Sequence, residues 1–187
     1  MGAFHAVKRL LLFRHSPAVE WGILYGQTNV AVQHEPNDAA QQILSQLSEQ
    51  ERLSAYAVFC SPWERSLQPA RIVAEELRLP LRVCDELSEL NFGEWEQRSY
   101  SEIERLFPKE YANWLQNWRT VSPPGGESVL QLHARVQSWL SELPETEAPA
   151  IVVTHASVIR TLQEFAGVLE PWSSSVPHLQ MVEWASS

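Results

Sequence analysis

The sequence predicts an α/β fold: a mainly parallel sheet flanked by helices on both faces. Two observations carry that prediction. Short runs rich in apolar and branched residues read as buried strands: Leu10-Leu11-Leu12-Phe13, Ala57-Val58-Phe59-Cys60, Leu81-Arg82-Val83-Cys84 and Ala150-Ile151-Val152-Val153-Thr154. Between them lie longer segments whose apolar residues recur at helical spacing, and strands alternating with helices are the mark of parallel βαβ units. The whole chain, 1–187, is expected to form one domain, since a chain of 187 residues buries enough surface to support a core without staples.

The elements follow in order. After the first strand, Ser16 to Pro36 reads as a loop broken by Gly22, Gly26, Asn29 and Pro36. A helix is expected from about Asn37 to Gln50, with Ala40, Ile43, Leu44 and Leu47 on one face. The second strand leads into Ser61-Pro62-Trp63-Glu64, which fits a capping box with proline at the first helical position. Leu67, Ala70, Val73, Ala74 and Leu77 then mark a helix that stops before Pro80. Past the third strand, Glu86 to Trp95 is a loop. A helical stretch from about Tyr100 to Trp118 is interrupted near Pro108, and Pro123-Pro124-Gly125-Gly126 is a firm break. Val129, Leu132, Val136, Trp139, Leu140 and Leu143 trace an amphipathic stripe. The strand ending at Thr154 and a helix to about Gly167 follow, and the tail from Pro171 adds a strand over His178–Trp184.

Composition narrows the function classes. The chain is 44% apolar and 20% charged, as globular domains are. No stretch approaches the roughly 18–20 apolar residues needed to span a bilayer, and Met1 to Lys8 lacks the order of a signal peptide. A cytoplasmic location with no membrane partner is therefore expected. A net charge of −9 argues against a nucleic-acid partner, which needs a cationic face. Screening limits its long-range repulsion of anions to about 8 Å, so a local cationic pocket still dominates. Cys60 and Cys84, in strand-like stretches, are expected to be buried inert thiols rather than a disulfide framework.

The chemistry concentrates at strand ends. Arg14-His15 closes one buried run and His155 closes another. Two strands of one parallel sheet deliver both histidines to its carboxyl edge, where open α/β sheets bind ligands. Arginine beside histidine there suits an anion attacked by imidazole, so phosphoryl chemistry is the leading idea. Arg65 falls in the first turn of a helix that starts just after a strand, where free N–H groups favour an anion and arginine grips phosphate oxygens with two prongs. Alone, Arg65 reads as a surface ion pair; beside Arg14-His15 it reads as a phosphate ligand. His133 reads as structural, His5 and His34 as surface residues, and no histidine pair has metal-site spacing. Among the tryptophans, Trp21 and Trp95 are candidates to line a substrate entrance.

Five segments in this order resemble the histidine phosphatases, the superfamily that includes cofactor-dependent phosphoglycerate mutase. They are Leu12-Phe13-Arg14-His15, Ser61-Pro62-Trp63-Glu64-Arg65 with Ala70, Glu89-Leu90-Asn91-Phe92-Gly93-Glu94-Trp95-Glu96, Gly125-Gly126-Glu127-Ser128 and Thr154-His155. The resemblance covers the chain from about Lys8 to Gly167. It implies a phosphoglycerate mutase-like fold and a phosphomonoesterase in which His15 takes the phosphoryl group as a phosphohistidine, splitting one hard step into two. Arg14, Arg65, His155 and the backbone N–H of Ala156 would bind the phosphoryl oxygens, with no metal and no cofactor. Glu89 matches the family's proton donor; Glu86, Glu94 and Glu96 nearby read as solvated side chains.

The chain also departs from the family pattern. Ser16-Pro17-Ala18 stand where a glycine, an acidic residue and a threonine usually follow Arg-His, and the usual asparagine a few residues on has no clear counterpart. Ala156-Ser157 stand where two glycines or similar small residues usually follow Thr-His, and Gln97 replaces a glycine. Tyr25-Gly26-Gln27-Thr28-Asn29-Val30 resembles the segment after the nucleophile in the α-ribazole phosphatase branch, placing Gln27 and Thr28 at the substrate pocket. The expected partner is thus a small phosphorylated metabolite, α-ribazole phosphate being the specific candidate. Phosphoglycerate mutase-type transfer and an inactive phosphate-binding relative are the alternatives. The oligomeric state is not legible.

Overall fold

The computed structural model describes residues 8–186. Its five-stranded sheet consists of β1 (Arg9–Arg14), β2 (Ala57–Cys60), β3 (Leu81–Val83), β4 (Ala150–Thr154) and β5 (Met181–Ala185), in the order β3-β2-β4-β1-β5. The first four run parallel; β5 is antiparallel to β1 at one edge. Helices α1 (Pro36–Gln46), α2 (Glu49–Ser54), α3 (Glu64–Leu77), α4 (Tyr100–Leu106), α5 (Pro108–Asn117), α6 (Val129–Glu142) and α7 (Ala156–Phe165) complete the α/β architecture.

Strand alternation builds two cores. Side chains point to opposite faces at successive positions, so Leu10, Leu12, Phe59 and Val152 pack with Leu132, Val136 and Trp139 of α6 and Ile159 and Leu162 of α7. Leu11, Phe13, Val58, Ile151 and Val153 pack against Ile43 and Leu44 of α1 and Val73 of α3 on the other face. Burial on both faces explains why the central strands carry apolar residues without a break.

Three boundaries depart from the sequence reading. The single helix expected over 37–50 is two, α1 and α2, because Ser48 caps α2 in a capping box with Glu51. The capping box expected at Ser61 and Glu64 does not form: Trp63 is the N-cap of α3 without a side-chain bond, and the Ser61 hydroxyl serves the site instead. The last strand begins at Met181, not His178. The break at Pro108 falls as expected between α4 and α5. Cys60 is buried, its thiol pushed up to about 12 by burial, whereas Cys84 is only half-buried beside the edge strand.

The topology sets the site. The chain leaves β1 toward β2 and leaves β4 toward β5, in opposite directions, so a crevice opens where the carboxyl ends of these adjacent strands meet. Arg14 pairs with Thr154 in register, and the His15 N–H donates to the Thr154 carbonyl at 3.0 Å.

Candidate active site

The strand register places His15 and His155 side by side, their ring centroids 4.9 Å apart and edge to face. The His15 Nδ1 lies 2.6 Å from the Ser16 carbonyl. A carbonyl only accepts, so Nδ1 carries the proton and Nε2 keeps its lone pair. Arg65 Nε donates to that Nε2 at 3.2 Å. Burial first, then Arg65, holds His15 well below the usual histidine range, against the opposing pull of the Ser16 bond. The ring is thus neutral at pH 7 with its nucleophilic nitrogen directed at a cation.

Arg65 is held by main chain. Its Nη1 donates to the Thr28 carbonyl at 2.7 Å and its Nη2 to the Gly26 carbonyl at 2.6 Å. Gly26 has no room for a side chain: a Cβ there would collide with the Leu90 carbonyl and the Glu96 carboxylate. Glu96 in turn accepts from the N–H groups of Gly26 and Gln27 and from the Thr28 hydroxyl at 2.8–2.9 Å. Glu96 is therefore a bolt between two loops, not a solvated side chain. Glu94 is exposed, as expected, and Glu86 is half-buried.

The half-buried Arg14 donates Nη1 to the Val176 carbonyl at 2.9 Å, while its buried Nε has no partner among the described residues. His155 is fully buried. Its Nε2 meets the Ser61 hydroxyl at 2.7 Å, and its Nδ1 is likewise without a partner. Burial, then the neighbouring His15, keeps this ring well below the usual range too. A buried polar atom without a partner costs roughly 1–3 kcal/mol. Two such atoms beside the candidate nucleophile fit groups made to meet a ligand.

Glu89 closes the arrangement. Its Oε1 accepts from its neighbour's N–H, that of Leu90, at 2.8 Å and from the Ser157 N–H in the first turn of α7 at 3.3 Å. The acid loop is pinned from behind by Arg135 of α6, which donates to the Glu86 and Glu89 carbonyls and pairs with Glu127 at 2.6 Å. The Thr154 hydroxyl holds the Leu87 carbonyl at 2.7 Å, tying the same loop to β4.

A cavity of about 280 Å³ opens above these groups. Arg14, His15, Glu89, Ala156 and Ser157 line its base; Trp21, Tyr25, Phe92, Tyr100 and Arg160 line its walls. Trp21 stands on the rim, 76% exposed. Trp95 does not line the cavity: it is 1% exposed and packs against Phe107, Tyr111 and Trp114. Gln27 and Thr28 do not line it either. Gln27 Nε2 donates to the Glu89 carbonyl, and Thr28 holds Arg65 and Glu96, so both support the site from outside.

Two histidines differ from expectation. His34 is not a free surface residue: its ring meets the hydroxyl of Ser16 at 2.9 Å, and its N–H donates to the same oxygen. His178 stands at the cavity with its ring 5.5 Å from that of His15. Nothing in the sequence near His178 marks it, whereas Arg160 had a signal, lying one helical turn from Ala156 on α7. His133 packs against Phe165 away from the cavity, and His5 lies outside the described residues. Among the described residues, no group of three His, Cys, Asp or Glu side chains could hold a metal ion, and no helix is long and apolar enough to cross a membrane.

Comparison with known proteins extends the geometry. The adenosylcobalamin/alpha-ribazole phosphatase of Escherichia coli K12 is 31% identical over 107 residues, covering 56% of this chain and 53% of that protein. The protein of the same name from Salmonella typhimurium is 28% identical over 153 residues, covering 76% of each. The alpha-ribazole phosphatase of Shigella flexneri superposes with a TM-score of 0.82 at 24% identity, over 95% of this chain and 93% of that one, which speaks for a shared fold. Residues 10–180 match the histidine phosphatase superfamily (branch 1). A match running from the first strand almost to the last makes this chain a member of that superfamily.

Proposed function

We propose that this chain is a metal-independent phosphomonoesterase acting through a phosphohistidine. The observation that carries the reading is the neutral His15 ring, protonated at Nδ1, with its Nε2 lone pair facing Arg65. The His15 Nε2 attacks phosphorus, and Arg65 transfers its hydrogen bond from that nitrogen to a phosphoryl oxygen. The Nδ1–H bond to the Ser16 carbonyl stabilises the positive charge that the ring gains. Arg14, His155 and the Ala156 N–H meet the remaining phosphoryl oxygens, the two arginines and these fixed donors doing what metal ions do in kinases. Glu89 gives a proton to the leaving oxygen as the P–O bond breaks. It then takes one from the water that attacks phosphohistidine, releasing phosphate and restoring His15.

The substrate is a small phosphorylated metabolite, and α-ribazole phosphate is the specific candidate. The Tyr25–Val30 segment and the names of the E. coli and S. typhimurium relatives support it. A soluble metabolite as substrate favours the cytoplasm as the place of action. The test is a panel of phosphate esters, including α-ribazole phosphate and the phosphoglycerates, with rapid-quench trapping of radiolabelled phosphoenzyme. Hydrolysis with label on His15, absent in His15→Ala, is expected. Undiminished activity in His15→Ala would overturn the mechanism, and primer-dependent isomerisation of phosphoglycerates without ester hydrolysis would replace phosphatase with mutase.

A further inference from the structure

The segment leading into β5 lies along the peptide of the candidate nucleophile. The His178 Nδ1 is 2.6 Å from the His15 carbonyl, so it is the protonated nitrogen of that ring and donates the bond. The Leu179 N–H donates to the Arg14 carbonyl at 2.9 Å, and His178 bridges Arg14 in the parallel sense. Leu179 adopts a left-handed conformation, φ 53°, which costs a branched side chain of this kind about 1 kcal/mol or more. The bend nonetheless persists, with the Leu179 side chain buried in the core below. With the His15 N–H bound to Thr154 on the other side, the peptide carrying the nucleophile is held on both flanks.

The ring of His178 also packs edge to face against that of His15, at an interplanar angle of 66°. Its other nitrogen, Nε2, has no protein partner among the described residues. Burial, with Arg14 close by, brings this histidine down to about 4, so at neutral pH it adds no charge beside His15.

We propose that His178 is a positioning residue for the nucleophile: through its bond to the His15 carbonyl and its ring contact it sets the direction from which His15 Nε2 approaches phosphorus. The proposal rests on the phosphohistidine reading for its kinetic consequence only. The geometric part concerns the resting ring and stands apart from turnover.

Two substitutions separate the components. His178→Asn keeps a side-chain N–H near the place of Nδ1 and removes the ring; His178→Phe keeps a ring and removes the donor. Both are compared with the unaltered chain by thermal melting, by the rate of His15 phosphorylation from p-nitrophenyl phosphate in rapid quench, by KM, and by the NMR resonance of the His15 Nδ1 proton. His178→Phe is expected to phosphorylate on the order of 10-fold more slowly at nearly unchanged KM, as a misdirected reacting atom does. Its Nδ1 proton resonance should shift, while His178→Asn recovers most of the rate and the unaltered resonance. Equal slowing in both variants with a raised KM would overturn the proposal by making His178 a substrate contact. A full rate and an unmoved resonance in His178→Phe would also overturn it. If the unaltered chain hydrolyses nothing, the phosphatase reading falls, and the resonance alone still decides whether His178 orients His15.

Discussion

The floor and the rim of the cavity are built on opposite principles. At and behind the floor, His15, which lines the cavity, and Arg65 and His155, which back it, are buried at the ends of strands or the start of a helix, and most of their polar atoms have a defined partner. On the rim, Trp21 is exposed on a loop, the Tyr25 hydroxyl donates to the exposed Glu20, and Arg160 is tied to the loop carbonyl of Ser174. The floor has one geometry, which is what a transition state requires; the rim has freedom to fit a leaving group. The difference teaches where chemistry and specificity are separately encoded, and it can be broken by substitutions that respect one region and damage the other.

The largest effect is expected on the floor. Arg65→Met removes the donor facing the His15 Nε2 and the cation that the proposed mechanism sets against the transferring group. It should lower kcat/KM for p-nitrophenyl phosphate by about 10³-fold, roughly 4 kcal/mol, measured by steady-state kinetics on protein whose fold is checked by circular dichroism. A loss under 10-fold would make Arg65 scaffolding for the 26–28 loop alone.

Glu89→Gln sharpens the comparison, because Glu89 lies on the floor while its proposed role is toward the leaving group, which the rim would hold. It should slow an alkyl phosphate on the order of 10²-fold more than p-nitrophenyl phosphate, whose leaving group needs little protonation. Glu94→Gln should show no such dependence, and equal slowing of both substrates by Glu89→Gln would deny it the role of acid. Glu96→Gln should instead lower the melting temperature, since it weakens a carboxylate that accepts from four loop groups.

On the rim, Trp21→Ala is expected to raise KM for the true substrate by about 5–30-fold, the size of one lost aromatic contact of 1–2 kcal/mol, with kcat unchanged. A fall in kcat at constant KM would place Trp21 in the chemistry and erase the distinction.

Two treatments should leave turnover almost unmoved. Excess EDTA should have no effect if fixed cations carry the phosphate charge; inactivation reversed by zinc or magnesium would defeat that account. Acidification from pH 7 to about pH 6, through much of the ordinary histidine range, should leave His15 neutral, visible in its ring nitrogen resonances. The same depression of His15 and His155 works against the fold in acid. The unfolded chain takes up protons that the folded chain refuses, so stability should fall as pH drops below about 6.5. A melting temperature that rises over that interval would contradict it.

Much of the floor was legible in the chain. Arg14, His15, Arg65 and His155 each close or follow a buried strand or begin a helix, and local pattern reports such places; Glu89 lies in a loop and was marked by the family motif alone. Ser61 shows the limit. Its spacing to Glu64 fits a cap, yet its hydroxyl bonds to His155, 94 residues away; a local rule lost to a long-range partner. Trp95 failed in the same way, since a tryptophan reads alike on a pocket wall and in a core, and only the packing of α4 and α5 around it chose the core. Glu96 looked solvated because three of its four donors come from a loop some 70 residues earlier.

The chain by itself determined the alternation of strands and helices, the apolar central strands and the motif residues, because these depend on the period of side chains along one segment. Only the tertiary structure decided that β4 inserts between β1 and β2, which makes His15 and His155 neighbours. It also decided that the segment before β5 folds back along the peptide of His15, the candidate nucleophile, and brings His178 to it. Those contacts join residues 140 and 163 positions apart, and no local pattern encodes such a meeting.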